Sequence, residues 1–169
     1  MVNPQLPLDS ARYEQLTTLP QEVVEDILLA AHQAYTAVVE SSGGQARGLR
    51  YDDVKSSPSC LTVANHITEN LDQGNTGYGA TTMGTTFPPR GTVHFLSRLA
   101  VPDVTPEPIV VDATWQQFLP MRPWRQRLVD GFRGEPLPVL IGTPRELGGL
   151  ALRLGFSPEQ AAVWELTDV

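Results

Sequence analysis

The apolar residues of the chain follow a helical pattern near its beginning and near its end. Between residues 20 and 40, valine, isoleucine, leucine, alanine and tyrosine recur every three or four positions, as on the buried face of a helix. Two later segments start with a hydroxyl residue and a proline, followed two positions on by Glu or Gln, which is the capping-box pattern. They predict helices over residues 144–154 and 158–166.

One further helix start carries a cysteine where the other two carry Glu or Gln. The run Ser57-Pro58-Ser59-Cys60 predicts a helix that continues to about Leu71, with a thiol in its first turn. Aligned peptide dipoles and unpaired N–H groups at a helix N-terminus stabilise a thiolate. Cys60 is therefore either an activated nucleophile or a small buried apolar side chain, and its place on the helix does not separate the two.

The middle of the chain has the pattern of a small sheet. Residues 92–101 alternate between apolar and polar side chains, and residues 108–114 form a β-branched run. A third strand is predicted over residues 137–141, at a sheet edge because Pro138 cannot donate to a ladder. Residues 74–86, rich in glycine and threonine, are interpreted as a mobile loop. The predicted fold class is α+β, in a single domain over residues 1–169, with the cysteine helix ahead of an antiparallel sheet.

Two polar residues interrupt the predicted strands. His94 lies within the first strand, and Asp112 breaks the apolar run of the second. A buried carboxylate is costly unless it is paired. A hairpin that turns about Asp103 would place His94 opposite Asp112, so that the carboxylate could orient the imidazole as in a catalytic triad. The alternative for Asp112 is a turn residue at the end of the strand.

The other two histidines are poor partners for the thiol. His66 lies on the cysteine's own helix, six residues further on, which places it about 120° around and ~9 Å along the helix axis. His32 falls within the first amphipathic helix, where a structural histidine is expected. The predicted catalytic triad is therefore Cys60, His94 and Asp112.

This arrangement is similar to that of papain-like and transglutaminase-like cysteine enzymes. Residues 111–118, Val-Asp-Ala-Thr-Trp-Gln-Gln-Phe, resemble the Asp-x-Thr-Trp-x-x-Phe neighbourhood of their third triad residue, especially in bacterial toxin and effector glutamine deamidases. The resemblance covers residues 57–118 and implies a papain-like or transglutaminase-like fold. It implies that Cys60 is the nucleophile, His94 the general base and acid, and Asp112 the residue that orients the imidazole. It also implies that Trp115 shields the His–Asp hydrogen bond from water.

Charge and composition narrow the classes of partner. A net charge of −7 argues against a nucleic-acid partner, which would need a basic surface. No stretch approaches the ~18 apolar residues of a membrane span, and no signal peptide is recognisable. The expected location is the cytoplasm, or export by a route without a cleavable signal peptide. The single cysteine excludes a disulfide within the chain and a cysteine-based zinc site, and no metal or organic cofactor is expected.

The predicted reaction is attack of the thiolate on an amide or acyl carbonyl through a thioester. The favoured activity is an amidohydrolase such as a glutamine deamidase, acting on a protein glutamine side chain or a comparable small acyl or amide substrate. A pocket under the loop at residues 74–86 would admit such a group, with Tyr78 as a substrate-binding or shielding residue. Two alternatives stay open: a small-molecule acyltransferase or cyclase of a biosynthetic pathway, and a non-catalytic interaction module of the same fold.

Overall fold

The computed structural model of the protein describes residues 10–41, 60–73, 77–89, 91–118, 137 and 139–165. Its helices are α1 (Gln21–Ser41), α2 (Cys60–Gln73), α3 (Pro144–Arg153) and α4 (Pro158–Glu165). One antiparallel sheet contains, in spatial order, β1 (Gly79–Phe87), β2 (Thr92–Ala100), β3 (Ile109–Asp112) and β4 (Leu140–Gly142). Short 3₁₀ turns lie at Ser10–Tyr13 and Trp115–Phe118. The predicted α+β class is confirmed.

Helices cover both faces of the sheet. Because side chains alternate along a strand, odd-numbered residues of β2 and β3 such as Leu99 and Val111 pack with α1 and α2. Even-numbered residues such as Leu96 and Val110 pack with α3 and α4 on the other face. His94 and Asp112 are even-numbered and lie on the face that α3 and α4 cover, and Cys60, the first residue of α2, is still close enough to His94 for the two side chains to interact.

Strand β1 corrects the prediction of a loop over residues 74–86. It pairs with β2 along its whole length, from Gly79↔Ala100 to Phe87↔Thr92. The residues before Phe87 are at least partly exposed, so the sequence has no apolar alternation that would indicate a strand. Its threonines nevertheless favour extended backbone. The pocket roof predicted from this segment is thus part of the sheet, and residues 74–76 lie outside the described residues.

The other elements lie close to their predicted bounds. Helix α1 is shifted by one residue at each end, α3 and α4 each end one residue earlier than predicted, and α2 extends two residues beyond Leu71. The segment before Cys60 that carries the predicted helix start is outside the described residues. Strand β4 begins at Leu140, three residues later than predicted, and it does lie at a sheet edge. Leu137 and Val139 precede it and are buried in the core.

A cluster of hydroxyl groups fixes α2 against the sheet. Thr68 Oγ1 lies 3.0 Å from Thr82 Oγ1 on β1 and donates to Ser97 Oγ on β2 at 3.2 Å. The Ser97 hydroxyl in turn donates to the Ala64 carbonyl at 2.9 Å. Ala64 lies one turn after Cys60, and hydrogen bonds inside a buried interface are directional. These hydrogen bonds therefore fix the position of the first turn of α2 relative to β2, the strand that carries His94.

Glu146, the third residue of α3, ties the N-terminal segment to this helix. Its Oε2 accepts from Thr143 N at 2.9 Å, as the predicted capping box requires, and from Thr17 Oγ1 at 2.7 Å. Its Oε1 accepts from Thr18 N at 2.7 Å and Thr18 Oγ1 at 2.8 Å. Burial raises the pKa of Glu146, but the hydrogen bonds from Thr143, Thr17 and Thr18 outweigh it, and the net effect lowers the pKa.

We expect Glu146→Gln to lower the free energy of unfolding at pH 7 by about 1.5–3 kcal/mol, the range for hydrogen bonds to a charged group. An amide has one acceptor oxygen, so two of the four donors lose their acceptor. The measurement is urea unfolding, with Glu159→Gln as a control because Glu159 is exposed in the first turn of α4. Since the folded-state pKa is lowered, the wild-type advantage should be lost as pH falls through that pKa. Equal losses in the two variants would contradict the prediction.

Candidate active site

His94 and Asp112 form a buried pair on β2 and β3. His94 Nε2 lies 2.7 Å from Asp112 Oδ2, and both side chains are excluded from solvent. The other carboxylate oxygen, Oδ1, accepts from the Thr114 backbone N–H at 3.0 Å and from the Thr114 hydroxyl at 3.4 Å. The indole N–H of Trp164 donates to Oδ2 at 2.8 Å. The burial cost of the carboxylate is thus offset by an imidazole and by three further hydrogen bonds.

The register of the hairpin differs from the prediction. Ser97 pairs with Val111 and Leu99 with Ile109, so the hairpin is centred on residue 104, one position beyond the predicted centre. His94 and Asp112 are consequently diagonal neighbours and not directly opposite. They still meet, because a displacement of the partner by two residues keeps both side chains on the same face of the sheet.

Cys60 is the first residue of α2, and its thiol is half-buried. The His94 side chain and the backbone N–H groups of Phe95 and Leu61 lie close enough to the sulfur to stabilise its charged form. Asp112 occupies Nε2 of the imidazole, which leaves Nδ1 as the ring nitrogen for the sulfur. The imidazole therefore lies between a thiol and a carboxylate, and the thiol is the member of the three that solvent reaches.

The charges of the site stabilise one another. Burial raises the pKa of the Cys60 thiol, but the hydrogen bond with His94, the backbone of Phe95 and the charge of His94 outweigh it, so that the pKa is lowered. Burial lowers the pKa of His94, but the charge and hydrogen bond of Asp112, together with Cys60, raise it to about 9. Both shifts favour a thiolate–imidazolium pair at neutral pH, the reactive form of a cysteine nucleophile.

We expect iodoacetamide to alkylate Cys60 at pH values well below the ~8.5 of a free cysteine, because the thiolate is the reacting species. A second step in the rate should appear near about 9, where His94 loses its proton. The mass of the intact protein, followed over time at each pH, measures the rate. In His94→Gln, the alkylation rate should rise only in the pH range of a free thiol. A thiol that reacts only in that range, or only after denaturation, would identify Cys60 as a buried apolar residue.

Aromatic rings surround the imidazole. Phe118 meets His94 edge-on, with ring centroids 4.6 Å apart and an interplanar angle of 89°. Phe118 also stacks on Phe87 at 3.8 Å, and Phe87 lies 5.8 Å from Trp164. Trp115, predicted to shield the His–Asp hydrogen bond, is fully buried and donates its indole N–H to the Leu137 carbonyl at 2.9 Å. The Phe118 ring packs against His94, and the Trp164 indole bonds to Asp112, while the predicted shielding role of Trp115 stays a prediction.

The structure does not bring Tyr78 to the triad, contrary to the prediction. Its hydroxyl donates to Asp26 Oδ2 on α1 at 3.0 Å, and burial together with that carboxylate raises its pKa to about 12. Tyr78 immediately precedes β1, whereas the residue paired with His94 is Thr85. At a rise of about 3.3 Å per residue, this separation along the strand exceeds roughly 20 Å. Tyr78 therefore fastens the hairpin to α1.

The remaining histidines lie outside the site. His66 is partly exposed and lies 3.9 Å from Glu69 on the same helix, and His32 lies 3.4 Å from Thr36 within α1. Within the described ranges, no three side chains of His, Cys, Asp or Glu come together as a metal would require. Among the described helices none is long and apolar enough to cross a membrane.

Two surface clefts of ≈ 450 and ≈ 550 Å³ adjoin each other at Arg98, Glu107 and Pro108. Neither is lined by a member of the triad, and both are open to solvent. Since chemistry requires a reactive group, we assign the site to the half-buried thiol and not to these larger depressions.

Comparison with known proteins adds no support for or against this assignment, which rests on the geometry of the site. No family matches the chain, no curated protein is similar enough to count as a relative, and no solved structure matches its fold. The candidate site therefore stands on two observations: the proximity of thiol, imidazole and carboxylate, and the burial of two of these groups. The opposite pKa shifts of thiol and imidazole follow from them.

Proposed function

We propose that the protein is a cysteine-dependent amidohydrolase or acyl transferase of papain-like or transglutaminase-like architecture. Cys60, His94 and Asp112 would form its catalytic triad. The observation that carries the proposal is the position of one buried imidazole between a carboxylate and the half-buried thiol. A structural histidine needs hydrogen-bond partners, but it does not need an activated thiol that solvent can reach.

The proposed reaction begins with the Cys60 thiolate attacking the carbonyl carbon, which forms a C–S bond and a tetrahedral oxyanion. Backbone N–H groups at the start of α2, where that of Leu61 already faces the sulfur, supply positive potential for this oxygen. The His94 imidazolium gives its proton to the leaving nitrogen, the C–N bond breaks, and ammonia or an amine departs from the thioester. Asp112 holds the ring and stabilises its charge throughout.

Water resolves the thioester in the second half of the reaction. Neutral His94 takes a proton from the water molecule, hydroxide attacks the thioester carbonyl, and the sulfur leaves as a thiolate. The carboxylic acid is released, and the imidazolium–thiolate pair is restored. If an amine takes the place of water, the same steps complete an acyl transfer.

Burial of the triad favours a substrate that reaches the sulfur with one protruding group. His94 and Asp112 are 0% and 1% exposed, so a substrate meets the site through the thiol alone. The carboxamide at the end of a glutamine side chain can approach in this way, whereas an extended peptide would need a cleft on both sides of the nucleophile. A glutamine deamidase is therefore the favoured form of the proposal.

One observation favours the alternative of a small-molecule acyltransferase or cyclase. Leu61 follows Cys60 and is 37% exposed, and Val93 precedes His94 and is 58% exposed. Apolar side chains that flank the nucleophile and the base along the chain offer apolar contact to a substrate. An apolar acyl group attached to the reacting carbonyl would cover them.

The test is to incubate the protein with casein, with a glutamine-containing peptide and with small thioesters of increasing acyl length. Ammonia, fragment masses and free thiol are measured, with Cys60→Ala as the control. Ammonia release with conversion of glutamine to glutamate supports the deamidase. Turnover of thioesters alone supports the acyltransferase, and casein cleavage without ammonia indicates a protease. No turnover of any of them, together with a thiol of ordinary reactivity, contradicts the proposal and favours a non-catalytic interaction module.

A further inference from the structure

Trp164, near the end of α4, contacts the residue that orients the proposed catalytic histidine. Its indole N–H and His94 Nε2 share one acceptor, Asp112 Oδ2, at 2.8 and 2.7 Å. We propose that Trp164 is a positioning residue of the triad, which holds the Asp112 carboxylate in the orientation and at the basicity that the imidazole requires. A role of Trp164 in catalysis rests on the proposed function. Its effect on the pKa of His94 does not, and can be measured without a substrate.

The contact does more than satisfy a buried indole. A fully buried tryptophan needs an acceptor for its N–H, and a backbone carbonyl suffices, as Leu137 shows for Trp115. Trp164 instead donates to the ionisable carboxylate. Because Thr114 holds the other carboxylate oxygen, both oxygens are fixed from outside the His–Asp pair and the group cannot rotate about its own axis.

Local structure places the indole there. Helix α4 begins with the predicted capping box, in which Ser157 N donates to Gln160 Oε1 at 3.0 Å and Gln160 N donates to Ser157 Oγ at 3.2 Å. Gln160 Nε2 also donates to the carbonyl of Pro88, in the turn between β1 and β2, at 3.4 Å. At the other end of α4, the Glu165 side chain lies directly over Gly148 of α3. Contacts at both ends therefore fix Trp164 above the sheet.

Sharing one oxygen makes the two donors competitors. The indole N–H binds a bare carboxylate more strongly than one already paired with an imidazolium, so it favours the neutral form of His94. The charged groups that act on His94 are Asp112 and Cys60, since Thr85 and Phe118 bring no charge. The Glu165 carboxylate lies against α3. Loss of the indole N–H should therefore raise the pKa of His94 and make the imidazolium a weaker acid toward the leaving group.

The experiment compares Trp164→Phe with Trp115→Phe. Each change removes one N–H from a fully buried indole, but only the first removes a donor to Asp112. NMR follows the titration of His94 directly. The step at higher pH in the rate of Cys60 alkylation by iodoacetamide follows it indirectly. We expect Trp164→Phe to move the step upward by about half a unit to one unit, because the lost hydrogen bond acts on both forms of His94. Trp115→Phe should leave the step in place, and both variants should be less stable.

A step that stays in place in Trp164→Phe, or moves equally in both variants, overturns the proposal. If Trp164→Phe does not fold, the proposal is tested on the wild-type protein by NMR. The chain has three tryptophans, Trp115, Trp124 and Trp164, so the variants Trp115→Phe and Trp124→Phe assign the indole N–H signal of Trp164. That signal should shift with the titration of His94, and a signal that does not move also overturns the proposal. None of these readouts needs a substrate. A lack of turnover would contradict the proposed function while leaving the role of Trp164 measurable.

Discussion

Cys60→Ala and His94→Gln are each expected to abolish turnover, by roughly four to six orders of magnitude, as in other enzymes whose nucleophile and base act as a unit. Cys60 is the one residue of the triad that is not fully buried, so removal of its sulfur leaves no nucleophile. The imidazole both stabilises the thiolate and protonates the leaving group, so glutamine can replace neither function. Initial rates on whichever of the test compounds above is turned over measure both effects.

The two variants should differ in stability. Cys60 is half-buried, so alanine removes little packed volume. His94→Gln leaves the Asp112 carboxylate buried without its charged partner, and breaking a buried pair costs about 3–5 kcal/mol. Circular dichroism and urea unfolding must therefore accompany the rates. His66→Gln is the matched control, because His66 lies on the same helix as Cys60 and is partly exposed. Full activity of a folded His94→Gln protein would exclude the triad.

Asp112→Asn is expected to lower turnover by about 10²- to 10⁴-fold, a large but partial loss, because the imidazole keeps its place but loses its charged partner. An asparagine has one acceptor oxygen, whereas the carboxylate now serves Thr114, His94 and Trp164. In either orientation of the amide, at least one donor faces an NH₂ group. The free energy of unfolding should fall as well.

The pH dependence of this variant has a definite sign. Burial lowers the pKa of His94, and Asp112 supplies the main opposing interactions. Without the carboxylate, the pKa of His94 should fall, opposite in direction to the change expected in Trp164→Phe. NMR titration of the imidazole measures the shift. Asp26→Asn is the control, since this carboxylate bonds to Tyr78 away from the triad. An unchanged titration of His94 in Asp112→Asn would contradict the assignment of the orienting residue.

Local signals explain why most of the fold could be predicted. The capping boxes at Thr143 and Ser157 specify helix starts through contacts within four residues, and both are formed. Strand β1 lacked such a signal. Its run of glycine and threonine is stabilised by pairing with β2, which is a long-range contact that hydrophobic periodicity does not report.

The residues of the candidate site also differ in how well the sequence indicates them. Cys60, His94 and Asp112 could be selected because a thiol at a helix start and polar residues in apolar strands need a physical reason. Trp164 could not, since a tryptophan within an apolar helix is ordinary and nothing near it in sequence indicates an acceptor. Tyr78 was misassigned because the loop that was to carry it leads directly into a strand.

The separation of the site's contacts along the chain bears on when these contacts can form during synthesis. The His94–Asp112 contact spans 18 residues, but the contact between Asp112 and Trp164 spans 52 and involves the last described helix. A ribosome-bound chain that has emerged only through β3 thus already contains the cysteine and its base, yet lacks the helix that closes the far side of the carboxylate. The full set of contacts around the Asp112 carboxylate can therefore form only after the chain has extended to α4, so this buried pair is completed late in synthesis.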